Sequence, residues 1–356
     1  MKTKLFLTVS IVLVFAAAVV WSTSAVSADS GCDNAFVEQR GRTLTIKPTE
    51  VDDTANLQCA FNAAVAIGYG AQVRLKLGTF HTGQIVVNGF NGKFKGAGVK
   101  NTVVSNLPNL YVTQENFYYN PPSADNPWPS LFVFVGGDFT VSNLAIHISG
   151  SNGTTGWTIF GIDPLITELA HGVAILGPEA NAQFEHVLVE GEPAENSLLG
   201  YNLINGIFYE GFIGENPDPI SGSFTVRNST FRAVGSGTPI ANLSDASVTI
   251  SHNEFEGVYF AMDGGDFVNS EYVFSNNNVD ATTGLSLYNI FALEDVGSSF
   301  LIEKNTFRGE AGIDLAQTFG EGNTCEISKN DLQDVTGTKI NLGDGVTGCI
   351  IMDNDN

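Results

Sequence analysis

The chain has 356 residues, 43% of them hydrophobic, with 38 acidic against 16 basic side chains and a formal net charge of −22. That length suffices for a large buried core in a single domain. The acidity repels nucleic acid and anionic membranes at long range, and argues more weakly against a polyanionic substrate unless a metal intervenes.

Residues 1–28 read as a signal peptide: Lys2 and Lys4, an apolar run from Leu5 to Trp21, and small residues between Ala25 and Ala28 as a cleavage site. The apolar core is short for a membrane anchor, and no later segment is apolar over the length a bilayer demands. Cleavage removes two lysines and takes the formal charge from −22 to −24. Export places Cys32, Cys59, Cys325 and Cys349 in an oxidising compartment, secreted or periplasmic, where two disulfides are expected. Three connectivities are open to four cysteines.

Residues 29–104 predict an arm and a cap. Phe36 to Ile46 alternates in character, and Asp52 and Asp53 then open a helix with Asp as its N-cap. Leu57, Ala60, Phe61, Ala64 and Val65 form one apolar stripe, which Gly68 and Gly70 end. Two strands follow, Val73 to Leu77 and Gln84 to Val87, flanking Gly78, Thr79 and Phe80, and after them Gly96, Ala97 and Gly98.

This succession of Asp52, Asp53, Thr54, Leu57 and Gln58, a helix, a strand running into Gly78-Thr79-Phe80, and Gly96-Ala97-Gly98 resembles the N-terminal cap of the pectin lyase-like superfamily of right-handed parallel β-helices. The resemblance implies that the helix plugs the open end of a solenoid, where core side chains would otherwise meet water. It implies an architecture and no particular chemistry, since that superfamily holds lyases, hydrolases, epimerases, tailspikes and non-catalytic surface proteins.

Residues 105–356 read as the solenoid, broken by three insertions at 107–130, 149–170 and 192–221. Long loops in a compact repeat fold are functional or disordered, and these are too aromatic for disorder. Tyr118, Trp128, Trp157, Tyr201, Phe208 and Tyr209, with Tyr259 from the repeats, are the candidate ligand-binding residues, because aromatic faces stack on sugars. The competing role for each is packing onto the solenoid.

From residue 224 the sequence repeats. Units begin at Phe224, Val248, Tyr272, Phe300, Cys325 and Cys349, in steps of 24, 24, 28, 25 and 24. A fixed period of this length means stacked units that cannot bury their apolar faces alone. Apolar residues at the first and third positions give a short strand, and an Asn follows: Asn253, Asn277, Asn305, Asn330 and Asn354. That ladder is expected to be structural, each Asn accommodating a left-handed bend. Strand, bend, short strand fits one rung of an all-β, single-stranded parallel β-helix. Cys325 and Cys349 hold the same inward position on successive units, close enough to bridge, and Cys32 and Cys59 would then tie the arm to the cap. The chain stops in mid-rung after Cys349, so a polar lid or association through an uncapped C-terminal end is expected.

In the resembled superfamily, ligands lie along one sheet. Here its outward positions would be Ala174, Phe208, Tyr259, Ser286, Asp314 and Asn341, with Asp263, Asp266, Glu294, Asp295 and Asp344 in the turns that follow. Inverting glycoside hydrolysis needs an acid and a base about 6.5–9.5 Å apart. Asp263 and Asp314, expected two rungs and roughly 10 Å apart, are the catalytic candidates, against the plainer role of Asp as a backbone-bonding residue in Gly-rich turns. Signatures of polygalacturonases, pectate lyases and alginate epimerases are absent, and the basic residues Arg227, Arg232, Lys304, Arg308 and Lys329 fall away from that sheet. No metal site emerges from the five histidines, although Asp263, Asp266 and the acidic turns could hold Ca²⁺ through oxygen ligands. Asn152, Asn228 and Asn242 are glycosylation sequons. Three functions are compatible with these residues: binding of an extracellular polysaccharide, neutral before polyanionic, without catalysis; degradation of one, by hydrolysis before lyase chemistry; or a cell-surface structural or adhesive module.

Overall fold

The computed structural model describes residues 32, 34–107, 111–113, 130–149, 166–168, 171–177, 179–191, 205–211, 219–291, 297–318, 322–343 and 348–355. The expected signal peptide and most of the three insertions lie outside the described residues.

Register defines the architecture. Val248, Tyr272, Phe300, Cys325 and Cys349 pair in parallel, strand on strand, and so do Ile250, Phe274, Ile302, Ile327 and Ile351. These are the first and third positions of the repeat, each stacked on its counterpart one unit away. Three such faces wrap one core. Sheet I runs through residues 85–88, 130–135, His171–Leu176, Asn205–Glu210, Ile240–Ser244, 262–268, 285–291, Ala311–Thr318 and Ile340–Leu342. Sheet II carries the first and third repeat positions, and sheet III the short strand after the Asn, where Phe231 pairs with Phe255 and Phe255 with Val279. The long strands Ser130–His147, Glu254–Val268 and Asn278–Phe291 bend from one face to the next, so 24 strands share one continuous hydrogen-bonded ladder.

The interior is apolar and aromatic. Phe90, Phe134 and Phe139 stack at the cap end, and Tyr209 on Phe224, Phe231 on Phe255 and Tyr272 on Phe300 farther along. Each fully buried ring contributes about 2–3 kcal/mol by removal from water.

The Asn ladder is structural, but by a different bond pattern from the expected one. The left-handed residue of each bend is the one before the Asn: His252, Asn276, Lys304, Lys329 and Asp353 have φ between 53° and 57°. The ladder Asn points inward instead. Asn277 Nδ2 donates to Asn305 Oδ1 at 3.0 Å and to the Ile250 carbonyl at 2.9 Å, while its own Oδ1 accepts from the Asn253 backbone N–H at 2.9 Å and from Asn253 Nδ2 at 3.1 Å. The same bonds recur through Asn305, Asn330 and Asn354. Where Asn is replaced, Ser229 continues the column, its hydroxyl accepting from the Val187 N–H. A second ladder at the corner between sheets I and II runs through Ser270, Ser298 and Asn323, each two positions before the first residue of its repeat unit.

The cap forms as expected, with local differences. The helix Thr54–Ile67 (α1) buries Leu57, Ala60, Phe61, Ala63 and Ala64, and Phe61 meets Phe90, Phe94, Phe132 and Phe134 edge-on. Asp53 stands at the N-cap but makes no capping bond: buried, it accepts from the Thr49 and His81 N–H groups and ties the cap to the first rung. Asp52 accepts from the Thr54 N–H and hydroxyl, which holds its carboxyl below the usual range. The strand expected to reach Leu77 ends at Leu75, and Leu77 is exposed where Gly78 turns the chain at φ 129°. Both disulfides, Cys32–Cys59 and Cys325–Cys349, are formed, the latter between register partners on adjacent rungs. At the last rung Ile350, Ile351 and Met352 are exposed. Among the described residues no helix is long and apolar enough to cross a membrane.

Candidate functional site

Sheet I presents one column of outward side chains that changes character along the solenoid. Its first part is Val133, Ala174 and Phe208, paired in register, with Val86 below them. Val133, Ala174 and Leu176 are fully buried although they point away from the core, and Phe208 packs half-buried against them. Farther along, the column becomes polar: Asp263 pairs with Ser286, Ser286 with Asp314, and Asp314 with Asn341. Pro239 joins the two stretches, since Tyr209 pairs with Ile240 and Ile240 with Gly264.

Asp263 therefore lies within sheet I, not in the turn after it. The expected alignment matched Tyr259 with Ser286, but Phe260 pairs with Thr283 and Met262 with Leu285, which puts Asp263 opposite Ser286. Gly257 serves a bulge at φ 60° between Glu256 and Val258, and Tyr259 follows it at the corner, edge-on to Phe260. Tyr259 is thus removed from the outward column, and Asp263 takes its place.

Tyr209 is also corrected. It is a core residue, fully buried, with its ring stacked on Phe224 and its hydroxyl donating to the Ala180 carbonyl at 2.9 Å. Burial pushes its phenol up. The odd–even alternation places Ile207 and Tyr209 inside and Phe208 and Glu210 outside. Tyr118, Trp128, Trp157, Tyr201, Glu294, Asp295 and Asp344 lie outside the described residues, as do the side chains of Asp266 and His171.

The geometry around Asp263 is specific. The Ser236 hydroxyl donates to its Oδ1. Desolvation pushes its carboxyl up to about 6, and the Ser236 bond only partly opposes that shift. Asp314, two rungs or about 9.6 Å away along the backbone ladder, accepts from Asn341 Nδ2 at 3.1 Å. Ser286 stands between the two carboxyl groups.

The neighbouring outward column adds two groups that the sequence analysis did not select. It runs Leu176, Glu210, Ala241, Gly265 and Tyr288 in register. Tyr288 is 40% exposed, and its ring covers Gly265, where a side chain would collide with it. Glu210 is only 4% exposed. Ala241 and the ring-covered Gly265 lie between Glu210 and Tyr288 in this column, alongside that of Asp263. The repeat phase could have exposed Tyr288 as a site residue, since it sits two positions after the outward Ser286.

His147, Arg227 and Arg232 lie on the other faces. His147 meets Glu190 at 3.3 Å, Arg227 meets Glu185 at 3.2 Å, and Arg232 lies between Glu190 and Glu256, all on sheets II and III. Among the described residues no group of three or more His, Cys, Asp or Glu is placed to hold a metal ion.

No protein-family model matches the sequence, and no curated protein does either. Solved structures are similar in backbone course. A Yersinia enterocolitica family 28 exopolygalacturonase is similar over 90% of this chain and 78% of its own, at 11% identity and a TM-score of 0.45. The A-module of an Azotobacter vinelandii mannuronan C-5 epimerase is similar over 85% and 91%, at 13% identity and a TM-score of 0.38. A glycosyl hydrolase-like protein from Parabacteroides merdae is similar over 69% and 92%, at 9% identity and a TM-score of 0.35. With its parallel rungs in register and its helical plug, the chain is an all-β solenoid with the parallel β-helix fold.

Proposed function

We propose that this protein is an exported polysaccharide-binding protein whose ligand lies along the polar half of sheet I. One observation carries the reading: Asp263, Ser286, Asp314 and Asn341 form an in-register outward column, with the exposed ring of Tyr288 beside it. Hydroxyl-rich sugars need carboxylate and amide acceptors and donors in fixed positions, and a ring face on which to stack. Rungs about 4.8 Å apart repeat those groups along the axis of an extended chain. The carboxylates of this column favour a neutral glycan over a polyanionic one at this face. The two disulfides are compatible with an extracellular or periplasmic location.

A second reading, hydrolysis of the same polysaccharide, is favoured by the contrast between the two carboxyl groups. Asp263, pushed up to about 6, retains its proton at mildly acidic pH, as a general acid must, and Asp314 stands two rungs away, about 9.6 Å along the backbone and at the outer edge of the span an inverting pair uses. A panel of neutral and acidic glycans, assayed for binding and for new reducing ends or unsaturated products, decides between them. Binding without product release supports the first reading. Turnover abolished by both Asp263→Asn and Asp314→Asn replaces it with the second. Absence of binding to any neutral glycan removes the proposal.

A further inference from the structure

The whole-chain acidity conceals a local reversal. Residues 29–104 carry eight Lys or Arg against six Asp or Glu, whereas residues 105–356 carry six against 32, formal balances of +2 and −26. The fold gathers five of the eight onto one face. Arg74 pairs in register with Lys95, Gln72 with Lys93, and Lys47 and Lys76 follow directly on the paired Ile46 and Leu75. Alternation puts Val73, Leu75 and Phe94 in the core and turns Arg74, Lys76, Lys93 and Lys95 outward, where all four are exposed, as is Lys47.

Like charges directly opposite on neighbouring strands are destabilising. On other rungs cations sit opposite acids: His147, Glu190, Arg232 and Glu256 follow one another on sheet III, and Glu185 faces Arg227 on sheet II. At the cap end they do not. Among the described residues no acidic side chain forms an ion pair with Lys47, Arg74, Lys76, Lys93 or Lys95. Glu38 on the adjoining edge strand is held by Arg40 at 2.6 Å.

We infer that this cationic face of the first rungs of sheet II is a binding site for a linear anionic polysaccharide, separate from the sheet I site and independent of its function. The charge pattern also fixes the direction of the chain. Along the solenoid axis the column Arg74, Lys95, Ser142 reaches Glu185 within a few rungs, so a polyanion lying that way runs onto repelling surface. Across the axis, along the strands, it stays on Arg74 and Lys76 or on Lys93 and Lys95. The site therefore takes a short stretch of polymer, and a long rigid duplex or a flat anionic membrane would meet the acidic rungs beyond it.

The test uses the full mature chain and three probes at low and moderate salt: an oligogalacturonate, a heparin-derived sulfated oligosaccharide, and neutral dextran. Binding is followed by calorimetry. The expected result is binding of one or both anionic oligomers but not dextran, with affinity falling as salt rises. The triple variant Arg74→Gln, Lys93→Gln, Lys95→Gln should weaken it by about tenfold or more, with a thermal transition no lower than that of the wild type, while Lys329→Gln, on the acidic half, leaves it intact. Carboxylated against sulfated preference identifies which anionic group is read. No binding of either oligomer, equal binding by the triple variant, or equal affinity for a single-stranded oligonucleotide overturns the inference. So does self-association of the wild type that the triple variant abolishes, which would make the acidic flank of a second copy the partner.

Discussion

Asp263 and Asp314 occupy the same outward column of sheet I, two rungs apart, with Ser286 in register between them. Their surroundings differ. Asp263 is partly withdrawn from water under a bond from Ser236, and Asp314 shares a bond with the exposed Asn341.

The first prediction concerns pH. Asp263 has a folded-state carboxyl raised from 3.8 to about 6. Between those values the folded state binds more protons than the unfolded one, so stability falls as pH rises through that window. The loss is about 2 kcal/mol at neutral pH after allowance for its partial exposure. Thermal melts of wild type and Asp263→Asn from pH 4 to pH 7 should diverge, the variant losing this component of the decline. Parallel profiles would show that burial of Asp263 does not penalise its charge.

Two tyrosines three rungs apart on sheet I should separate binding from stability. Tyr288→Ala removes an exposed ring from the proposed glycan face and should weaken glycan binding several-fold, with a transition within about 0.5 kcal/mol of wild type. Tyr209→Phe breaks the buried bond to the Ala180 carbonyl and should cost about 1–2 kcal/mol without changing affinity. A reversed pattern in titration and denaturant unfolding would remove Tyr288 from the site.

The Asn ladder sets a graded expectation. Asn277→Ala strands the buried Asn253 backbone N–H and one Asn253 Nδ2 hydrogen and removes the donor to the Ile250 carbonyl, at a cost of about 3 kcal/mol or more, while Asn305 Oδ1 keeps the bond from the backbone N–H of residue 277. Asn354→Ala, on the half-exposed last rung, lets water replace the lost bonds and should cost about 1 kcal/mol. Equal costs by denaturant unfolding would mean that burial of the ladder does not set its energy.

Glycines 284 and 257 differ in what a methyl group would meet. At Gly284 it would press on the Phe307 ring and lie 2.6 Å from the Gly312 carbonyl, so Gly284→Ala should destabilise by about 2–3 kcal/mol. At Gly257 there is open space but φ is 60°, so Gly257→Ala should cost about 1 kcal/mol. Chemical denaturation of the two variants orders them.

The sequence by itself determined the solenoid. Buried Val248, Ile250 and Asn253 recur at a near-constant step, and apolar burial at period two inside a fixed repeat leaves parallel stacking as the arrangement that covers every face. It also made the Cys325–Cys349 bridge an expectation, because equivalent positions on successive rungs are neighbours, but the choice among three connectivities came with the structure. Only the tertiary structure decided which outward residues share a column. Side-chain direction depends on register to the single residue, and one bulge after Glu256 exchanged Tyr259 for Asp263. The one-residue alternation likewise sent Tyr209 into the core and left Phe208 and Glu210 outside. Charge followed the same rule: its sum was legible in the composition, but its separation into a basic cap face and an acidic flank came from which strands the fold set side by side.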